Sequence, residues 1–182
     1  MRISPFPVFV AAISAAISAT AAVPERETLM PQGKKGVLVF TLDDGSADHY
    51  DTAAPALERH GIRGIFNIIP ARIGTPGYMN WDQVRDLVKR GHELGNHSWS
   101  HPNLIRLMET GGVEAVRSEI RRGYDAIKAE LGFDAKTVCY PGNAMNAKTD
   151  EVIRELGFRP ESYRGNGWGG RGGMKAAEFD VA

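Results

Sequence analysis

Apolar and polar positions along residues 37–163 switch repeatedly between unbroken short runs and helical spacing. Val37, Leu38, Val39, Phe40 and Leu42, preceded by Gly36, predict a strand at 37–42 buried on both faces, as in a parallel sheet. Tyr50, Ala53, Ala54 and Leu57 then share one face of a helix that stops at His60 and Gly61. A second strand is expected at 64–69, ended by Pro70. A second helix follows, with Asn80 and Gln83 at capping-box spacing and Trp81, Val84, Leu87 and Val88 facing the core. The short glycine-bounded stretch 92–95 reads as a third strand. The longest helix is expected at 112–131, with Val113, Val116, Ile120, Tyr124, Ile127 and Leu131 recurring along one face and Gly132 ending it. A fourth strand at 137–140, a short helix at 148–156 stopped by Gly157, and a fifth strand at 158–163 complete the pattern. The glycine-rich stretch 165–173, with Trp168 inside it, reads as a loop.

Strands alternating with helices predict an α/β fold with a parallel sheet, open or closed into a barrel by right-handed crossovers. The 182 residues, 42% hydrophobic and 24% charged, suit one globular domain after the N-terminal segment. Arg2, the apolar run 6–17 and the small residues Ala19, Thr20 and Ala21 form a secretory-leader pattern, so residues 1–22 are expected to be a signal peptide and 23–36 a linker. The apolar run is shorter than the roughly 20 residues that span a bilayer, so no stable membrane span is expected once the leader is removed. The implied location is secreted, periplasmic or the cell envelope. Twenty-two basic residues balance twenty-two acidic ones, which leaves no net field to draw in nucleic acid and suits a neutral partner such as a glycan. Cys139 is the single cysteine, which excludes an intramolecular disulfide.

The chemistry concentrates at two places. Asp43 and Asp44 stand at the C-terminal end of the first strand, where parallel α/β folds place their sites, although such a pair can also be a helix cap with a solvated neighbour. His97 and His101 are four residues apart, and Pro102 disfavours helix at His101, so a tight loop is expected. Two histidines and one carboxylate leave coordination positions open, as in catalytic rather than structural zinc sites, and the same set also serves non-haem iron. His92 and Glu93 do not begin a zincin motif, because Asn96 stands where its second histidine would be. The glycosylation pattern at Asn96 lies inside the candidate site and is discounted. His60 and His92 read as structural, and Cys139 as a buried small apolar residue. His49 lies close enough to the acid pair to support it without binding the metal.

These residues carry a family resemblance. Thr41-Leu42-Asp43-Asp44-Gly45 resembles the T-F-D-D-G motif of the NodB-type polysaccharide deacetylases, a carbohydrate esterase family, and His97-Ser98-Trp99-Ser100-His101 resembles its H-S/T-x-x-H motif. The resemblance covers roughly residues 37–163 and implies a distorted (β/α) barrel that removes N- or O-acetyl groups from glycans with a metal ion. It makes Asp43 the general base and Asp44, His97 and His101 the ligands of a divalent metal, zinc first. Tyr140, Pro141, Gly142 and Asn143 fall at the family's oxyanion and substrate-binding motif, with Cys139 in its arginine position and Gly142 in its aromatic one. No histidine follows His101, so the late motif that supplies the family's general acid is missing, and the barrel is expected to be incomplete at the C-terminus of the domain 37–182. The expected function is metal-dependent deacetylation of a chitin-like, peptidoglycan or xylan substrate, with residual activity favouring esters. The alternative is a metal-holding glycan-binding protein, or a truncated deacetylase, without turnover.

Overall fold

A computed structural model describes residues 39–161. The expected leader at 1–22, the linker at 23–36, Tyr163 and the glycine-rich stretch with Trp168 lie outside the described residues. The elements run in the order β1 (Thr41–Asp44), a π-helical turn (His49–Ala53) continuing into α1 (Ala54–Arg59), β2 (Ile65–Ile68), α2 (Trp81–Lys89), β3 (Glu93–Asn96), α3 (Leu104–Leu131), β4 (Thr137–Cys139), α4 (Ala147–Glu155) and β5 (Arg159–Glu161). All neighbouring strands pair in parallel, in the order β1-β2-β3-β4-β5. Each strand therefore lies beside the next in sequence, which sets every strand's C-terminal end along one rim.

The two faces of the sheet differ in chemistry. In β2 the period-two alternation sends Phe66 and Ile68 into one apolar cluster with Val84 and Leu87 of α2, whereas Asn67, also fully buried, points to the opposite face. A second apolar cluster joins Val116, Ile120 and Tyr124 of α3 to Val138, Val152 and Ile153. Fully buried side chains such as Phe66, Leu87 and Ile120 each contribute about 2 kcal/mol by leaving water.

The predicted caps form. Asn80 accepts from the Gln83 amide and Gln83 from the Asn80 amide, and Gly132 closes α3 in the left-handed conformation. The same reciprocal cap, Asn146 with Thr149, starts α4. One expectation needs correction and one needs extension. Of the strand expected at 37–42, Val37 and Leu38 lie outside the described residues; the remainder is not buried on both faces, because β1 begins at Thr41 and has one neighbour among the described residues, leaving Val39 56% and Phe40 37% exposed. The helix expected at 112–131 is present and is joined to a preceding helical stretch that begins at Leu104, capped by Asn103; Gly112 (φ 72°, ψ -171°) is a non-helical kink between the two, beside which Val113 turns outward to 40% exposure.

Candidate metal centre

Adjacent strand residues normally point to opposite faces, so Asp43 and Asp44 cannot serve one site from regular β geometry. Asp44 resolves this with φ 77°, a left-handed conformation that re-aims its carboxylate at the strand end. Asp43 stays in register opposite Asn67, whose Nδ2 donates to Asp43 Oδ1 at 2.8 Å. Asn67 in turn lies opposite Gly95, where a methyl group would sit 1.8 Å from Asn67 Oδ1. Glycine at 95 is thus the space that Asn67 occupies, and Asn67 is the group that holds Asp43.

The histidines arrive from the end of β3. His97 is buried, and its Nδ1 lies 2.9 Å from the Cys139 carbonyl. A carbonyl only accepts, so Nδ1 carries the proton and the Nε2 lone pair is free to face the acid pair. His101 Nε2 lies 3.3 Å and His97 Nε2 3.5 Å from Asp44 Oδ1, with the two rings 4.7 Å apart. Between the histidines the chain forms the expected tight loop, with Ser98 at φ 63° and His101 at φ 68°, tied by a bond from the His101 amide to Ser98 Oγ. Burial, then the neighbouring His97, lowers the pKa of His101 against the pull of Asp44 and favours the neutral ring.

Asp44 Oδ1 is buried with no hydrogen-bond partner, and it faces the unprotonated Nε2 of His97 and the Nε2 of His101. Lone pairs gathered around a carboxylate repel one another unless a cation lies among them. The donor set of Asp44, His97 and His101, its ligand atoms within 4.8 Å of one another, therefore fits a divalent metal ion. Asp43, His97 and Cys139 are also mutually close, but Asp43 is held by Asn67 and His97 Nδ1 by the Cys139 carbonyl, so the first set is the better cage.

The other candidates separate clearly. The buried His92 accepts from the Gly64 amide at Nδ1 (3.1 Å), which leaves Nε2 to donate to Glu58 (2.9 Å); it is structural, as expected. His60 caps the end of α1 and is exposed. His49 packs edge-on against Phe66, and its Nδ1 is buried without a partner. Burial lowers its pKa, while Asp48, Asp44 and Asp43 pull the other way. Tyr140 is buried and its hydroxyl donates to Asp150, so in the segment 140–143 only Gly142 and Asn143, both exposed and both in left-handed conformations, remain open to a ligand. Desolvation, reinforced by Asp150, pushes the Tyr140 phenol well above its usual range.

Asn67 and Glu161 are additional members of the site. Glu161, on β5, pairs in register with Cys139 at the same strand-end rim and feels the charge of Asp43. A carboxylate at a strand's C-terminal end, the same signal that marked Asp43, would have found it. Burial first, then the charge of Asp43, raises the Glu161 pKa. The folded state therefore holds this proton more tightly than the unfolded one, so the contribution to stability is complete below the unfolded pKa and is lost as pH rises toward the folded value. Glu161→Gln should thus leave the thermal midpoint unchanged in acid and raise it at neutral pH. Thermal melts at both pH values check this, and a lowered midpoint at neutral pH would show that the ionised side chain is favoured.

Residues 31–160 match a family model described as polysaccharide deacetylase. Peptidoglycan-N-acetylglucosamine deacetylase PgdA of Listeria monocytogenes is 26% identical over 117 residues, which cover 64% of this chain and 23% of that protein. Peptidoglycan-N-acetylmuramic acid deacetylase PdaC of Bacillus subtilis is 29% identical over 134 residues, 73% of this chain and 26% of that protein. The chain thus spans about a quarter of the length of these relatives. Among solved structures, a family 4 carbohydrate esterase from Streptomyces lividans, in complex with acetate, superimposes with a TM-score of 0.59 at 27% identity, covering 69% of this chain and 62% of that one. Its likeness agrees with the expected α/β, distorted-barrel class. The matched residues run from before β1 into β5 and take in both carboxylates and both histidines, and on that match the chain belongs to the polysaccharide deacetylase family.

Proposed function

We propose that this chain is a metal-dependent hydrolase that removes N- or O-acetyl groups from a polysaccharide or oligosaccharide, with zinc as the metal. The observation that carries the reading is the unpartnered, buried Asp44 Oδ1 facing two imidazole nitrogens, with a second carboxylate, Asp43, beside it. Asp44, His97 and His101 would hold the ion. Bound there, zinc would lower the pKa of water to about 7 and polarise the acetyl carbonyl. Asp43 is the proton acceptor: Asn67 fixes its Oδ1, leaving Oδ2 to take the proton of the attacking water. The Cys139 carbonyl keeps His97 in the tautomer that a ligand needs. The exposed turn at Gly142 would offer its backbone N–H to the developing oxyanion, since the Asn143 N–H is taken by the Tyr140 carbonyl. PgdA and PdaC are named for peptidoglycan sugars, which supports an acetylated cell-wall or chitin-like glycan as substrate. The leader pattern supports export to the envelope, where such glycans lie.

Acetate release from N-acetylated chito-oligosaccharides, peptidoglycan fragments and an O-acetylated sugar ester tests the reading. The protein should release acetate from at least one, lose this on dialysis against a chelator and regain it with zinc. Metal-stripped protein that works as fast as the reloaded form would refute metal dependence.

A further inference from the structure

The loop that carries both histidines is gripped by a single turn of α3. The Trp99 amide donates to the Glu119 carbonyl at 3.2 Å, and both the amide and hydroxyl of Ser100 donate to Glu119 Oε1. Asn96 Nδ2 donates to the Ile120 carbonyl at 2.9 Å, and the Arg122 guanidinium lies 4.0 Å from the centre of the Trp99 ring. Gly123 completes the turn: a methyl group there would lie 2.4 Å from Asn96 Oδ1, 3.0 Å from the Ser98 carbonyl carbon and 3.1 Å from the Trp99 nitrogen. Gly123 sits inside a regular helix, where glycine is a poor choice on propensity, so its use here is space rather than backbone freedom. On the far side, the Ala71 amide donates to the Trp99 carbonyl at 3.1 Å.

The loop needs this grip. Ser98 and His101 both hold left-handed conformations that side chains other than glycine rarely adopt, and such conformations persist only where surroundings over-determine them. Released, the loop would relax toward ordinary backbone angles and carry His101 away from Asp44. We infer that Glu119 and Gly123 are positioning residues of the metal centre: they bind no metal themselves and set its affinity by fixing the path of residues 97–101. This rests on the proposed metal role of Asp44, His97 and His101.

The test compares wild type, Glu119→Ala, Glu119→Gln and Gly123→Ala as full chains. Zinc affinity is measured by competition with a chromophoric chelator, and the thermal midpoint of each metal-free protein by circular dichroism. Glu119→Ala should weaken zinc binding about 10- to 100-fold, the range for groups that orient metal ligands, while its metal-free midpoint stays near that of wild type. Glu119→Gln keeps an oxygen able to accept both Ser100 bonds and should restore most of the affinity. Gly123→Ala should weaken zinc binding at least about tenfold although alanine is the better helix former. Unchanged zinc affinity in folded Glu119→Ala overturns the inference, as does a loss in Glu119→Gln equal to that in Glu119→Ala. Should Gly123→Ala fail to fold, the two Glu119 variants decide the matter. Wild type that takes up no zinc would overturn the metal reading and this inference together, whereas wild-type binding untouched by the variants overturns this inference alone.

Discussion

His97→Ala should abolish metal uptake. In the proposed site His97 would supply one of three protein ligands and is the most buried of them, so its loss would leave Asp44 and His101 to hold the ion alone. The affinity should fall by well over the roughly 10- to 100-fold that follows loss of a group merely supporting a ligand. A second cost falls on the fold. The variant loses the buried hydrogen bond from the His97 imidazole to the Cys139 carbonyl, and one such bond typically contributes about 0.5–1.5 kcal/mol. Elemental analysis of purified wild type and variant, with thermal melts of both metal-free proteins, reads the two effects separately. Equal metal content would sink the ligand assignment, whatever happens to stability.

Asp43→Asn should keep the metal and abolish turnover. The substitution is nearly isosteric, and the amide oxygen it introduces can still accept from Asn67, so the site should keep its shape. What disappears is the capacity to take a proton from water, and a positioned base typically contributes about 10²- to 10⁴-fold in rate. Asp44→Asn should do the reverse, weakening metal binding because it takes the charge from a proposed ligand. Metal content and acetate release measured on both variants separate the roles. Metal loss in both would mean that the two carboxylates act as one unit, not as base and ligand.

The parts of this site written in contiguous residues are legible in the amino-acid order itself. Thr41 to Gly45 and His97 to His101 each announce themselves within five positions, and Asn80 with Gln83 does so within four. The parts made by chain crossings are not. Asn67 meets Asp43 across two strands, Glu119 meets Ser100 between a helix and a loop, and Gly123 matters only because Asn96 and Ser98 lie against it. No periodicity encodes such meetings, since each depends on the register of elements that the pattern only places in order. The exposure of Val39 and Phe40 is hidden for the same reason: an apolar run gives a strand's composition, not its number of neighbours. The opening stretch of α3 is obscured differently. Leu104, Leu107 and Met108 pack onto the core at helical spacing, but Gly111 and Gly112 interrupt the run and point to a later start.

The bond that orients His97 comes from the main chain of residue 139, and this changes what substitution there can do. Every amino acid brings the same carbonyl. A change at Cys139 can alter packing or the local redox chemistry, yet the group that fixes the imidazole tautomer persists in any variant whose strand keeps its path. Position 139 is therefore free to drift where a side-chain partner would be pinned, and a comparison of side-chain identities among relatives would pass over it. The support for His97, a proposed metal ligand, is inherited with the shape of β4 rather than with any letter of its sequence.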